Sequence, residues 1–162
     1  MNKWHNGFDP VINELSKVLI LGSFPSVKSR AQGFYYGNPQ NRFWKVLEIA
    51  LNKNVPKDVA GRKAFLLENK VALWDVIERS CIEGSMDADI NSSNSIPVDF
   101  NKVLSKYPNV KLIILNGKKA YSIFTKFNKD CKINSVCLPS TSPANAVFDI
   151  APWLSQLNIL KD

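Results

Sequence analysis

The chain has one histidine, His5, and three cysteines, Cys81, Cys131 and Cys137, with no CxxC spacing. So few nitrogen and sulfur ligands argue against a structural zinc or iron–sulfur site and against a disulfide framework. No metal and no cofactor is expected. No apolar run approaches the roughly 20 residues of a membrane span, and the start Met1-Asn2-Lys3-Trp4-His5 lacks a signal-peptide core. A cytoplasmic protein without membrane contact is therefore expected. Dinucleotide-binding glycine fingerprints, the P-loop pattern and the GxSxG elbow are all missing, which removes their usual chemistries. A Ser/His/Asp triad would have to recruit His5 from the extreme terminus.

Acidic residues are also scarce: 14 Asp and Glu stand against 21 Lys and Arg, a formal net charge of +7. That balance fits a polyanionic partner through counterion release, and equally a set of lysines on solvated helix faces. No block of like charges marks a basic tail. At 162 residues with 45% hydrophobic content, the chain supports one core, and a single domain over 1–162 is expected.

What is present is a set of four apolar runs, each ending in a small or polar residue. Residues 17–21, 71–74, 111–115 and 133–138 read as buried strands. Helical patterns lie between them: one capped by Asn41 and carrying Phe43, Trp44 and Leu47, then 56–67, 98–107, 117–127 and 146–157. Pro152 is expected to kink the last or to start its regular part. Alternation of this kind predicts an α/β fold, a three-layer α/β/α sandwich around a four-stranded parallel sheet. Ligands of such sheets bind at the strand carboxyl ends, here Gly22-Ser23, Trp74-Asp75, Asn116-Gly117 and Pro139-Ser140. The polar stretch 80–97, with Gly84, Asp87 and Asp89, reads as a functional loop.

Three words carry chemistry. Gly22-Ser23-Phe24-Pro25-Ser26 places a tight turn after a strand, where backbone N–H groups can converge on an acceptor, or where the chain simply turns. Tyr35-Tyr36-Gly37-Asn38-Pro39 sets stacking surface beside a carboxamide that can read a base edge, or is core aromatics followed by an ordinary turn. Leu138-Pro139-Ser140-Thr141-Ser142-Pro143-Ala144-Asn145 offers hydroxyls to phosphate, or caps the last helix. Asp75, Asp87 and Asp89 read as capping or solvated carboxylates, and Cys81 and Cys137 as buried thiols.

From about Lys17 to Leu157 these words resemble the uracil-DNA glycosylase superfamily. Gly22 to Ser26 stands at its first motif, Tyr36 to Trp44 resembles the aromatic-to-NRFW segment of the mismatch-specific branch, and Leu138 to Asn145 matches its second motif in position. The words around Asn38, Ala72-Leu73-Trp74-Asp75-Val76, Gly84 to Ile90 and the second motif are most similar to the deoxyinosine (hypoxanthine) branch. Other branches place Asp or Asn in the first motif to position water, whereas this chain has Ser23-Phe24. The resemblance therefore implies Asn38 as the catalytic carboxamide with Asn116 as its helper. It further implies that Gly22, Ser23, Phe24 and Tyr36 contact the base, and that Ser140, Thr141, Ser142 and Asn145 contact DNA. The implied activity is monofunctional hydrolysis of the N-glycosidic bond of a deaminated base in DNA, chiefly hypoxanthine, with no obligate protein partner. A mismatch-type uracil/thymine glycosylase and a non-catalytic nucleic-acid-binding module remain the alternatives.

Overall fold

The computed structural model describes residues 4–81 and 95–161. Its centre is a parallel sheet of order β3-β2-β6-β7, built from β2 (Val18–Gly22), β3 (Val71–Asp75), β6 (Leu112–Asn116) and β7 (Asn134–Leu138). Both faces of the inner strands are apolar, so they alternate between two cores. Val18 and Ile20 of β2 enter one core, with Leu47 of α2 (Phe43–Leu51), Leu66 of α3 (Val59–Glu68) and Trp153 of α6 (Ala151–Leu157). Leu19 and Leu21 enter the other, with Phe100 of α4 (Phe100–Leu104) and Phe124 of α5 (Lys118–Phe127). The expected α/β/α sandwich on four parallel strands is observed.

Several expectations shift in detail. Pro152 occupies the first turn of α6 and starts it at residue 151, so 146–150 is irregular. Two elements were not expected. A short helix, α1 (Val27–Gln32), follows the first motif; Ser26 caps it and Gly33 ends it in the left-handed conformation. A three-stranded antiparallel sheet joins β1 (His5–Asn6), β4 (Ile77–Ser80) and β5 (Ser95–Pro97). The stretch expected as one loop over 80–97 is thus partly sheet, and Gly84, Asp87 and Asp89 lie outside the described residues.

The segment after β1 is tied to the main sheet. Val11 bridges Leu73, with N–H···O bonds of 2.9 Å in both directions. The Phe8 carbonyl accepts from Tyr35 Oη at 3.2 Å and from Trp74 Nε1 at 3.1 Å. Among the described residues no helix is long and apolar enough to cross a membrane.

Candidate active site at the strand carboxyl ends

The chain passes from β2 to its neighbour β3 on one side and then crosses back to β6 on the other side of β2, a switch point that opens a crevice above the strand ends. A cavity of about 410 Å³ lies there, within the size range of small-ligand sites. Gly22, Ser23, Phe24, Tyr36, Asn116, Ser140, Thr141 and Ser142 all line it, so eight of the ten expected site residues meet at one cavity.

Its floor depends on a missing side chain. A Cβ at Gly22 would stand 2.7 Å from Asp75 Oδ1 and 3.1 Å from Tyr36 Oη. Only glycine lets that carboxylate and that phenol lie over the end of β2. Asp75 is only 4% exposed, which corrects the expectation of a solvated carboxylate. The parallel register places it beside Gly22, and the bond from Val76 N–H to the Gly22 carbonyl at 2.8 Å carries the chain inward.

Tyr36 lies on Phe43, with ring centroids 4.2 Å apart and 25° between planes. Its backbone is left-handed, with φ of 51°, a cost accepted where the surroundings over-determine it. The determinants are visible on either side of the peptide. Trp44 Nε1 donates to the Tyr36 carbonyl at 3.2 Å, and Ser29 Oγ accepts from the Gly37 N–H at 3.0 Å. Phe43 and Trp44 are core residues, as expected, and they also support the ring that faces the cavity.

Tyr35 is buried and donates to the carbonyls of Asp9 at 2.7 Å and Phe8 at 3.2 Å. Burial pushes its phenol far above the usual range, and the neighbouring charge of Asp75 pushes it further.

Asn116 grips the second-motif loop with its whole carboxamide. Its Oδ1 accepts from Thr141 N–H at 3.0 Å while Nδ2 donates to Thr141 Oγ1 at 2.9 Å. Gly117, with φ of 99°, lets the chain turn directly under Ser140. Within the loop, Ser140 Oγ accepts from Ser142 N–H at 3.2 Å and Ser142 Oγ from Ala144 N–H at 3.1 Å. Asn145 N–H donates to Ser142 O at 3.0 Å and Asn145 Nδ2 to Ser140 O at 3.0 Å. Main-chain N–H groups expected to hold phosphate are thus engaged inside the loop. The serine hydroxyls keep their own O–H donors.

Two expected residues stand outside the cavity wall. Asn145 is used as just described. Asn38 is half-exposed and folds into a turn, its Oδ1 accepting from Gln40 N–H at 3.0 Å and its carbonyl from Asn41 N–H at 2.9 Å. Asn41, expected only as a helix cap, lines the cavity while its Oδ1 accepts from Phe43 N–H at 2.9 Å. Cys81, Cys131 and Cys137 are half-buried, not buried, and burial raises the Cys137 thiol despite the opposing Lys118 charge. Among the described residues no group of three His, Cys, Asp or Glu side chains could hold a metal ion.

A switch-point cavity with a stacked tyrosine, a carboxylate floor and a hydroxyl-bearing loop suits an uncharged heterocycle attached to a phosphate backbone. Residues 10–156 match the family model of the uracil DNA glycosylase superfamily, and the chain belongs to that superfamily. It is 36% identical over 144 residues to the hypoxanthine DNA glycosylase of Methanosarcina acetivorans, covering 88% of this chain and 89% of that protein. A Methanosarcina barkeri protein of the same name is 36% identical over 115 residues, 70% of this chain and 72% of the relative. The solution NMR structure of a Methanosarcina acetivorans protein provisionally assigned as a uracil DNA glycosylase superposes with a TM-score of 0.83 at 32% identity, covering 99% of this chain and all of that one.

Proposed function

We propose that this chain removes hypoxanthine from deoxyinosine in DNA by hydrolysing the N-glycosidic bond. The observation that carries the reading is the buried carboxylate of Asp75 in the wall of the cavity, beside the Tyr36 phenol. Hypoxanthine presents an N1–H donor where adenine presents a lone pair. A fixed carboxylate accepts from the first and repels the second, so it selects the deaminated base. The names of the Methanosarcina relatives support the same substrate.

In the mechanism that follows, the base leaves the helix stack and enters the cavity. Tyr36, backed by Phe43, stacks on it, and the Ser23 and Phe24 backbone meets its edge. Ser140 and Ser142 donate their hydroxyl protons to phosphate oxygens at the mouth. Asn38 orients water at the sugar carbon or donates to the departing base, with Asn116 as its helper on the opposite side, holding the second-motif loop at Thr141. To do so Asn38 gives up its bond to Gln40 when DNA binds, a tightening seen where apo geometry is loose. Asn41, already on the cavity wall, is the rival for that task. No carboxamide is a strong base, so the rate rests on stabilising charge on the leaving purine.

The test is single-turnover base release from duplexes holding one inosine, uracil, xanthine or adenine. Fastest release from inosine is the expected result. Preference for uracil or for thymine in a mismatch moves the chain to the mismatch-type reading, and binding without release makes it a non-catalytic module.

A further inference from the structure

Arg42 stands between the cavity wall and the second-motif loop, and three of its donors reach that loop. Its main-chain N–H donates to Thr141 O at 3.0 Å, Nη1 donates to Ser142 O at 3.0 Å and Nη2 to Asn145 O at 3.1 Å. The guanidinium also lies 5.1 Å from the centre of the Phe148 ring, at the far end of the same connection. As the residue preceding α2, it makes no side-chain cap bond to that helix. The side chain is therefore turned toward the loop and away from its own helix.

Those acceptors are neutral carbonyls of residues 141, 142 and 145. A planar fork can bridge two of them from one rigid group; a flexible ammonium cannot hold the same spacing. Carbonyl oxygens also repel phosphate, and the fork engages them on the protein side. The opposite side of Thr141 is held by the Asn116 carboxamide. The loop is thus clamped from α2 and from β6 together.

We infer that Arg42 is a positioning residue, which fixes the 139–145 loop so that the Ser140 and Ser142 hydroxyls meet the DNA backbone in register with the cavity. This rests on the DNA-directed reading above. It assigns Arg42 no contact with phosphate: its charge is spent on spacing carbonyls, and DNA affinity depends on the shape of its fork.

The experiment compares wild type with Arg42→Lys and Arg42→Gln for melting temperature, duplex Kd across a salt series, and single-turnover rate at saturating inosine duplex. Positioning predicts folded variants that both lose about tenfold in affinity, the scale of one lost hydrogen bond. The salt slope is expected to stay at the wild-type value, and the saturated rate to fall less than the affinity. Restoration of full affinity by Lys, with Gln lowering the slope by about one, means a direct phosphate contact and overturns the inference. Unchanged affinity in a folded variant, or equal losses of affinity and saturated rate, overturns it as well. If one variant fails to fold, the other carries the comparison. Wild-type failure to release hypoxanthine sinks the substrate reading instead, because the Arg42 inference is decided by duplex binding.

Discussion

Asp75→Asn separates selection by charge from selection by shape. The substitution preserves the outline of a side chain that is 4% exposed and packed within reach of the Tyr36 phenol, so the cavity keeps its volume. It removes the charge-assisted bond to the hypoxanthine N1–H, worth about 1.5–3 kcal/mol and hence roughly 10- to 150-fold in cleavage of inosine duplex. A carboxamide can also turn its amino group inward and donate to adenine N1. Discrimination against adenine is therefore expected to shrink from both directions, through slower inosine cleavage and newly measurable adenine release. The assay is single-turnover release from matched inosine and adenine duplexes, with thermal melts of both proteins. Inosine cleavage within threefold of wild type, with adenine still inert, would refute the assignment of base reading to Asp75.

Asn38→Ala is expected to bind inosine duplex yet lose at least about 100-fold in cleavage, and Asn38→Ala with Asn116→Ala to be non-additive in a double-mutant cycle. Asn41→Ala is expected to lose the bond to Phe43 N–H and about 1 kcal/mol of stability by denaturant melt; a reversed order of effects transfers the chemistry to Asn41. Tyr36→Ala should cost about 1–3 kcal/mol in inosine-duplex binding measured by titration, the worth of one stacked base. Tyr35 titrates higher folded than unfolded, so its contribution is complete below about pH 10 and lost above it, where the unfolded phenol ionises first; Tyr35 should steepen the fall in stability by up to about 1.4 kcal/mol per pH unit there, a share that Tyr35→Phe removes. With a net charge of +7, duplex affinity should drop steeply and log-linearly with salt in a fluorescence titration, and a flat response would return the lysines to solvation.

β2, β3 and β6 were legible because each is a short apolar run ending in a small or polar residue, a pattern that a doubly covered strand requires, whereas the edge strand β7 is buried only toward Leu138. The second sheet was not legible. His5–Asn6, Ile77–Ser80 and Ser95–Pro97 carry no readable period, and β1 acquires its strand character from pairing with residues more than 70 positions away. α1 has no apolar stripe, and only its Ser26 cap and Gly33 stop announce it. At the site, the motifs located the strand ends that line the cavity, but burial of Asp75 depends on the glycine paired with it on the neighbouring strand. A lone sequence shows a carboxylate after Trp74 and nothing of the glycine and phenol near it. The same limit applies to Asn38 and Asn41. Both follow turn-forming rules, and three residues of spacing decide which carboxamide reaches the cavity.

The Phe8 carbonyl bonds to both Tyr35 and Trp74, and Phe8 itself lines the cavity. An expression boundary chosen at Lys17, just before β2, would keep every strand of the parallel sheet and every named site residue. It would nonetheless strip one wall from the cavity and leave a buried phenol and an indole N–H with no carbonyl to receive them. A protein trimmed in that way would lose stability and activity together, although every superfamily motif is intact. Comparative assays within this superfamily therefore need the segment around residues 5–11 retained, and an N-terminal fusion joined there needs a linker long enough to leave Phe8 and Val11 in place.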